Sequence, residues 1–438
     1  MNIPATMDLA NTLSAVEVVS QTSSGALRCE EIARACLDRV SRRDSVTQAW
    51  SFLDADLVVR RAKELDARAV RGPLHGVPVG VKDIVETCDM PTEMGSPIYQ
   101  GYQSIGDASC VALLRAAGAL IFGKTVTCEF AGVTAGPTTN PHDPARTPGG
   151  SSSGSAAAVA DFMVPLAIGT QTGGSVQRPA SYCGVVGYKP TFGLINSGGV
   201  KPAAESLDTV GLFARTVEDI ELSARVLTNS APVVWYTQCV PLRIGLCRTF
   251  VWDSAEQPTR DAIEDAALRL AGAGFQIRDL DLPRPCKDLT ITREIINDFE
   301  RARSMAYEWN AFREKLSERL AKTIANGWTI PLEQYLDAVA HVDMCRRLAA
   351  EVFADFDVLL APTVQGEAPT GLTYTGDHRF QSIWTQLRTP TVSLPTHAGP
   401  NGMPISIQLV GRPYADNDVL KAAQLIFRTL GRGPAVKS

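Results

Sequence analysis

Residues 148 to 193 read PGGSSSGSAAAVADFMVPLAIGTQTGGSVQRPASYCGVVGYKPTFG. Glycine, serine, alanine and threonine dominate the stretch. A flexible linker has that composition, because Gly/Ser-rich chain behaves as coil. An active-site loop has it too, since small residues let backbone amides and hydroxyls crowd around a reacting group. Two apolar runs inside the stretch, VPLAIG (164 to 169) and VVGYKP (185 to 190), read as strands.

The same pattern continues on both sides. GVPVGV (76 to 81), ALIFG (119 to 123), RIGLC (243 to 247), DVLLAP (357 to 362) and ISIQLVG (405 to 411) read as strands. Helices lie between them. DASCVALLRAAG (107 to 118) is expected to open on Asp107 as N-cap and close on Gly118. TVEDIELSARVL (216 to 227) carries Thr216 and Asp219 as a capping box, and DNDVLKAAQLIFRTLG (416 to 431) follows the last strand. That alternation predicts an α/β layer fold. From about Leu9 to Ala69 the spacing is helical, and residues 255 to 355 read as long amphipathic helices forming a cap over the sheet.

With 45% apolar and 20% charged residues over 438 positions, the chain is an ordinary folded protein rather than a disordered or fibrous one. Its 42 basic and 47 acidic residues leave a net charge of -5, so nothing draws it broadly to nucleic acid or anionic lipid. The ten cysteines form no C-x-x-C pair and read as reduced thiols in a cytoplasm. The first twenty residues hold neither a basic n-region nor an apolar h-region, and no run of eighteen apolar residues follows, so neither export nor a membrane span is expected.

Several motif matches fail on physical grounds. GALIFGKT (118 to 125) fits the phosphate-loop expression, but Ala, Leu, Ile and Phe in its middle suit a buried strand and not a solvated loop. GSSSG (150 to 154) fits the nucleophile elbow, with Ser152 as nucleophile, yet TPGG before it is no strand and His341, His378 and His397 downstream lie in no telling setting. Cys183 lacks a nearby histidine and reads as an inert buried thiol. The five histidines never pair at helical spacing or join a Cys/Asp cluster, so no metal is expected.

Lys82 in GVPVGVKDIVET, the serines 151 to 153 and Ser175 in GTQTGGSVQRPA survive this sifting. Together with SLDTVGLFARTVED (206 to 219), these segments resemble the amidase signature family. Sixty-nine residues separate Lys82 from Ser151 and 24 separate Ser151 from Ser175, as in that family. The likeness is strong from about 73 to 220, weak through 250 to 350, and returns at TPTVSLPTHAGPNGMPISIQLVGRPYADNDVLKAA (389 to 423).

The resemblance implies a single large α/β/α layered domain over residues 1 to 438, with a central mixed twisted sheet. Its parts would be N-terminal helices (1 to 70), a signature core (73 to 220), a variable helical cap (250 to 355) and C-terminal strands and helix (356 to 438). It further implies Ser175 as nucleophile, Ser151 as bridging serine and Lys82 as base. Lysine can serve only when neutral, and desolvation among Val79, Val81 and Ile84 favours that form. A cis Gly150–Ser151 peptide bond would answer the opening puzzle, since small neighbours permit the turn. Thr172, Gly173 and Gly174 would supply an oxyanion hole.

Gln171 and Gln177 stand where the family most often has Asp and Arg, so amide hydrogen bonds would have to hold the loop; Ser153 stands where glycine is frequent. Ser152, Gln177 and Arg178 are the expected substrate-binding residues, with Arg178 either reading a substrate carboxylate or pairing with a protein carboxylate. GTQTGGSVQRPA and FQSIWTQLRTPTVSLP (380 to 395) resemble a malonamidase-like branch, which implies a small polar amide and no cofactor. The leading expectation is a free-standing amidohydrolase acting as a homodimer on a small-molecule amide. The alternatives are the glutaminase subunit of a transfer-RNA amidotransferase and a non-catalytic binding protein.

Overall fold

Strands buried on both faces read as unbroken apolar runs, and the centre of this protein is built that way. The computed structural model describes residues 9 to 132, 134 to 238 and 240 to 436. Its strands are β1 (Trp50–Phe52), β2 (Pro78–Lys82), β3 (Leu120–Thr125), β4 (Leu166–Gln171), β5 (Val186–Lys189), β6 (Thr209–Ala214), β7 (Arg243–Leu246), β8 (Gln276–Asp279), β9 (Val358–Pro362), β10 (Thr391–Ala398) and β11 (Pro404–Val410). They form one mixed sheet in the order β1-β3-β2-β4-β6-β5-β10-β11-β9-β7-β8. β2 runs parallel to β3 and β4, and β7 runs parallel to β8 and β9. The strands between these two wings pair antiparallel. The expected α/β fold with a mixed central sheet is therefore what the chain adopts.

GALIFGKT becomes β3, and its Lys124 is buried against Val85 O and Thr92 Oγ1, so no phosphate loop exists there. Other expectations need correction. Asp107 is not a helix cap: Ala108 holds that position, while the Asp107 carboxylate accepts the Cys88 amide and pairs with Arg115. The helical cap is interrupted, because β8 lies within it and its long helix breaks at Met305 and again before Ser317. β1, β6 and β10 lie outside the strands read from sequence. No helix among the described residues is long and apolar enough to cross a membrane.

The helix Ser153–Ala160 is buried at every residue, which explains its run of small side chains. A Cβ on Gly154 would collide with Ala49 O and the Val126 amide. Ser155 Oγ donates to Ile168 O at 2.8 Å, and Ser153 Oγ to Val126 O at 3.3 Å. The Gly/Ser/Ala stretch is thus a packing surface pinned against β3 and β4. It is no linker.

Candidate active site

Lys82 ends β2, a strand buried along its whole length, and parallel pairing with β4 sets Val81 opposite Ile168. Thr170 lies two residues further along β4, so its hydroxyl reaches the lysine. Lys82 Nζ sits 2.8 Å from Ser151 Oγ and 2.8 Å from Thr170 Oγ1. Burial pushes its pKa down to about 7, against the pull of Asp208. No carboxylate among the described residues forms an ion pair with it; the neighbouring Asp83 faces Lys124 instead, at 3.5 Å. The lysine is therefore poised to be neutral near neutral pH.

Ser151 follows a cis peptide bond from Gly150 and is fully buried, with its carbonyl accepting the Cys128 amide at 3.1 Å. Ser175 opens onto a cavity of about 280 Å³ that is also lined by Thr172, Gly173 and Gly174. The Ser175 hydroxyl makes no hydrogen bond among the described residues. None of the backbone amides from Thr172 to Ser175 is spent on a protein acceptor there either, which leaves four donors beside the serine. A Cβ on Gly174 would collide with Gln381 Oε1, and one on Gly173 would come 3.0 Å from Arg293 Nη2. A side chain at Gly174 would displace the buried Gln381, while one at Gly173 would press on the Arg293 guanidinium.

The two glutamines hold this loop without charge. Gln171 Oε1 accepts the amides of Val176 (2.9 Å) and Gln177 (3.0 Å), and its Nε2 donates to Thr385 Oγ1 at 3.0 Å. Thr385 Oγ1 in turn donates to Gly173 O at 2.9 Å. Gln177 Nε2 donates to both oxygens of Thr391. Gln177 is thus buried in the core and lines neither this cavity nor its neighbour. Ser152 is similarly committed, its Oγ accepting the Thr170 amide at 3.2 Å. Neither side chain is placed to touch a substrate, contrary to the sequence expectation.

Arg178 is largely committed, though its buried Nε has no partner. Its Nη1 donates to Gly376 O at 2.8 Å and its Nη2 to Gly150 O at 2.6 Å, with Thr375 Oγ1 at 3.3 Å. It pairs with no carboxylate among the described residues. The guanidinium straps the turn before Ser151 to the segment around Gly376.

Sequence reasoning missed several residues of this site. Thr170 is one. Asp208 is another: its carboxylate accepts Thr172 Oγ1 at 2.5 Å and the amides of Ala203 and Ala204, and burial raises its pKa. The third omission is the far wall, where Arg293, Asn297 and Arg301 project from the helix Leu289–Ser304. Their i, i+4, i+8 spacing was the available signal. A larger chamber of about 620 Å³, with Ile291, Ile295 and Tyr374 on its wall, adjoins the cavity and shares Arg178, Glu294, Arg319 and His378 with it.

A sheet that delivers a desolvated lysine to a serine, beside a glycine strap of open amides, has the architecture of a serine hydrolase. A family model described as Amidase matches residues 31–420, and the chain belongs to that family of hydrolases acting on C–N bonds. It is 34% identical to a glutamyl-tRNA(Gln) amidotransferase subunit of Symbiobacterium thermophilum, over 94% of this chain and 95% of that protein. The corresponding subunit of Carboxydothermus hydrogenoformans is 31% identical over 94% of this chain and 96% of its own length. A solved structure described as an amidase superposes with TM-score 0.88 at 28% identity, covering 96% of this chain and all of the other. Another, of a vestigial protein complex tied to the evolutionary origins of an s-triazine catabolic enzyme, gives 0.88 at 27%, covering 97% of this chain and 100% of that one. These curated relatives are amidotransferase subunits, and the finer expectation of a malonamidase-like branch draws no support from them.

Proposed function

We propose that the chain releases ammonia from the terminal amide of a small polar substrate through an acyl-enzyme on Ser175. Neutral Lys82 takes the proton of Ser151 as Ser151 takes that of Ser175, and the freed Oγ attacks the carbonyl carbon. The amides of the 172 to 175 strap receive the developing oxyanion, a contribution worth about 3 to 4 kcal/mol per donor. When the tetrahedral adduct collapses, the relay returns its proton to the leaving nitrogen and ammonia departs. Water then repeats the sequence on the ester and frees the acid and Ser175. Hydrogen bonds of this kind commonly tighten only when substrate arrives, which accommodates the open Ser175 hydroxyl.

The observation carrying this reading is the desolvated Lys82 at 2.8 Å from Ser151 with no carboxylate to fix its charge. Glutamine is the first candidate substrate, because the curated relatives are named as glutamyl-tRNA(Gln) amidotransferase subunits. The cavity suits such a zwitterion, offering four arginines, Arg178, Arg293, Arg301 and Arg319, and the carboxylates Glu294 and Asp298. On this reading the homodimer expected from sequence gives way to a complex with a further protein that uses the ammonia, and transfer RNA becomes a neighbour despite the net charge of -5. A second reading, the free-standing amidohydrolase, is favoured by the 620 Å³ outer chamber with apolar side chains on its wall, room that a free amino acid does not need.

Ammonia release by the isolated chain from glutamine, asparagine and a panel of larger primary amides tests the proposal. Turnover that disappears in Ser175→Ala is expected. Turnover surviving in Ser175→Ala would overturn it, and a preference for larger amides over glutamine would select the second reading.

A further inference from the structure

Arg178 is already tied to backbone through both terminal nitrogens and keeps only its Nε among the buried donors without a partner. The opposite wall offers a different set. Arg293, Asn297 and Arg301 occupy one face of the helix Leu289–Ser304, and all three are buried. Eight residues of helix span about 12 Å, so the two guanidinium stems bracket the cavity floor formed by the strap from Thr172 to Ser175. A helix face buried against a loop normally carries apolar side chains; here it carries two cations and an amide.

The donors of Arg301 are largely unspent. Arg301 makes a single hydrogen bond, from Nη1 to Phe130 O at 3.1 Å, and no ion pair among the described residues. Asp208, the carboxylate that acts on it most strongly, lies beyond ion-pair reach and is committed to Thr172, Ala203 and Ala204, and Asp298 and Glu294 act on it more weakly, also without an ion pair. Arg293 is better anchored. Its Nη1 forms an ion pair with Glu294 at 2.8 Å and lies 3.3 Å from His378 Nε2, while its buried Nε has no partner and its Nη2 reaches only Asn297 Oδ1 at 3.4 Å. Arg301 is thus the buried guanidinium without a paired anion, a costly arrangement. That cost is recovered when a ligand brings the anion, and a carboxylate matches the fork of an arginine in two parallel hydrogen bonds.

We infer that Arg301 and Arg293 form the specificity-determining seat for a carboxylate on the substrate, with the scissile amide presented to Ser175 across the cavity. The substrate class is then a small amide that also bears a free carboxylate, and the helical cap, not the signature core, selects it. This rests on the amidase reading of the same site, and its test is chosen to stand apart from catalysis.

Calorimetric titration with succinate and with neutral butane-1,4-diol, neither of which offers a scissile amide, reads the seat directly, using wild-type chain, Arg301→Met, Arg301→Lys and Arg293→Met. The expected result is at least a tenfold preference for succinate in the wild type, erased in Arg301→Met, reduced in Arg293→Met and partly kept in Arg301→Lys. Thermal melting of each variant checks that it folds, and Arg293→Met carries the test if Arg301→Met does not. No preference in the wild type, or a preference intact in both methionine variants, overturns the inference. Failure of the amidase reading would show elsewhere, as absence of covalent labelling at Ser175.

Discussion

Replacing Lys82 by methionine should stabilise the fold at neutral pH while removing the proposed base. Burial lowers the Lys82 pKa from 10.5 to about 7, whereas the unfolded chain keeps the ordinary value. Between those two pH values the unfolded state binds more protons, so the destabilisation is complete at and below pH 7 and fades as pH rises to 10.5. At about 1.4 kcal/mol per pH unit, the full effect is about 5 kcal/mol. Methionine removes it but leaves the Ser151 and Thr170 hydroxyls short of one partner, a loss of about 1 kcal/mol each. The variant should therefore exceed the wild type by about 3 kcal/mol at pH 7 and match it near about pH 9. Lys124 and Lys189, also lowered by burial to about 8 and about 7, are common to both proteins and cancel in the comparison. Urea unfolding at the two pH values gives the difference. A variant less stable than the wild type by the same margin at both would refute the reasoning, because the lysine would then not be held towards its neutral form.

Further outcomes follow from the same geometry. With Lys82 as base, kcat/KM should climb about tenfold per pH unit below pH 7 and level off above it; a pH-rate profile flat across that value would exclude the assignment. Gly174→Ala places a methyl into Gln381 and should lower kcat by at least about tenfold, given the worth of one oxyanion donor; unchanged kcat would mean the strap is not used. Gln171→Ala strands the amides of Val176 and Gln177, and at about 1 to 3 kcal/mol for each unsatisfied donor the unfolding free energy should drop measurably, less so in Gln171→Asp, which keeps an acceptor. Arg178→Met should depress kcat alike on charged and neutral amides, since its guanidinium holds backbone; a selective rise in KM for carboxylate-bearing amides would return Arg178 to the role of substrate reader.

The wings of the sheet were legible because β2, β3, β4, β9 and β11 are buried on both faces and so appear as unbroken apolar runs. β1 and β8 are short and partly exposed, and β6 lies inside a motif whose glycine and threonines mask its strand character. Lys82, Ser151 and Ser175 stood out as polar residues in small or apolar surroundings at family spacing. Thr170 did not, because a threonine in a strand is unremarkable until the register sets it beside the lysine. Ser152 and Gln177 were misjudged for the converse reason: polar side chains next to a nucleophile can be spent entirely on backbone and neighbouring hydroxyls. Arg293 and Arg301 look like solvated charges on an amphipathic helix, and only their packing against the strap shows them to be buried.

Central to the proposed reaction is Ser175 as the nucleophile that Lys82 activates through Ser151. Reaction with a fluorophosphonate, followed by mass spectrometric mapping and rate measurement, tests this directly. The predicted result is one adduct on Ser175, absent in Ser175→Ala and formed far more slowly in Lys82→Met and Ser151→Ala. An adduct on a different residue, or labelling of Lys82→Met at the wild-type rate, would contradict it.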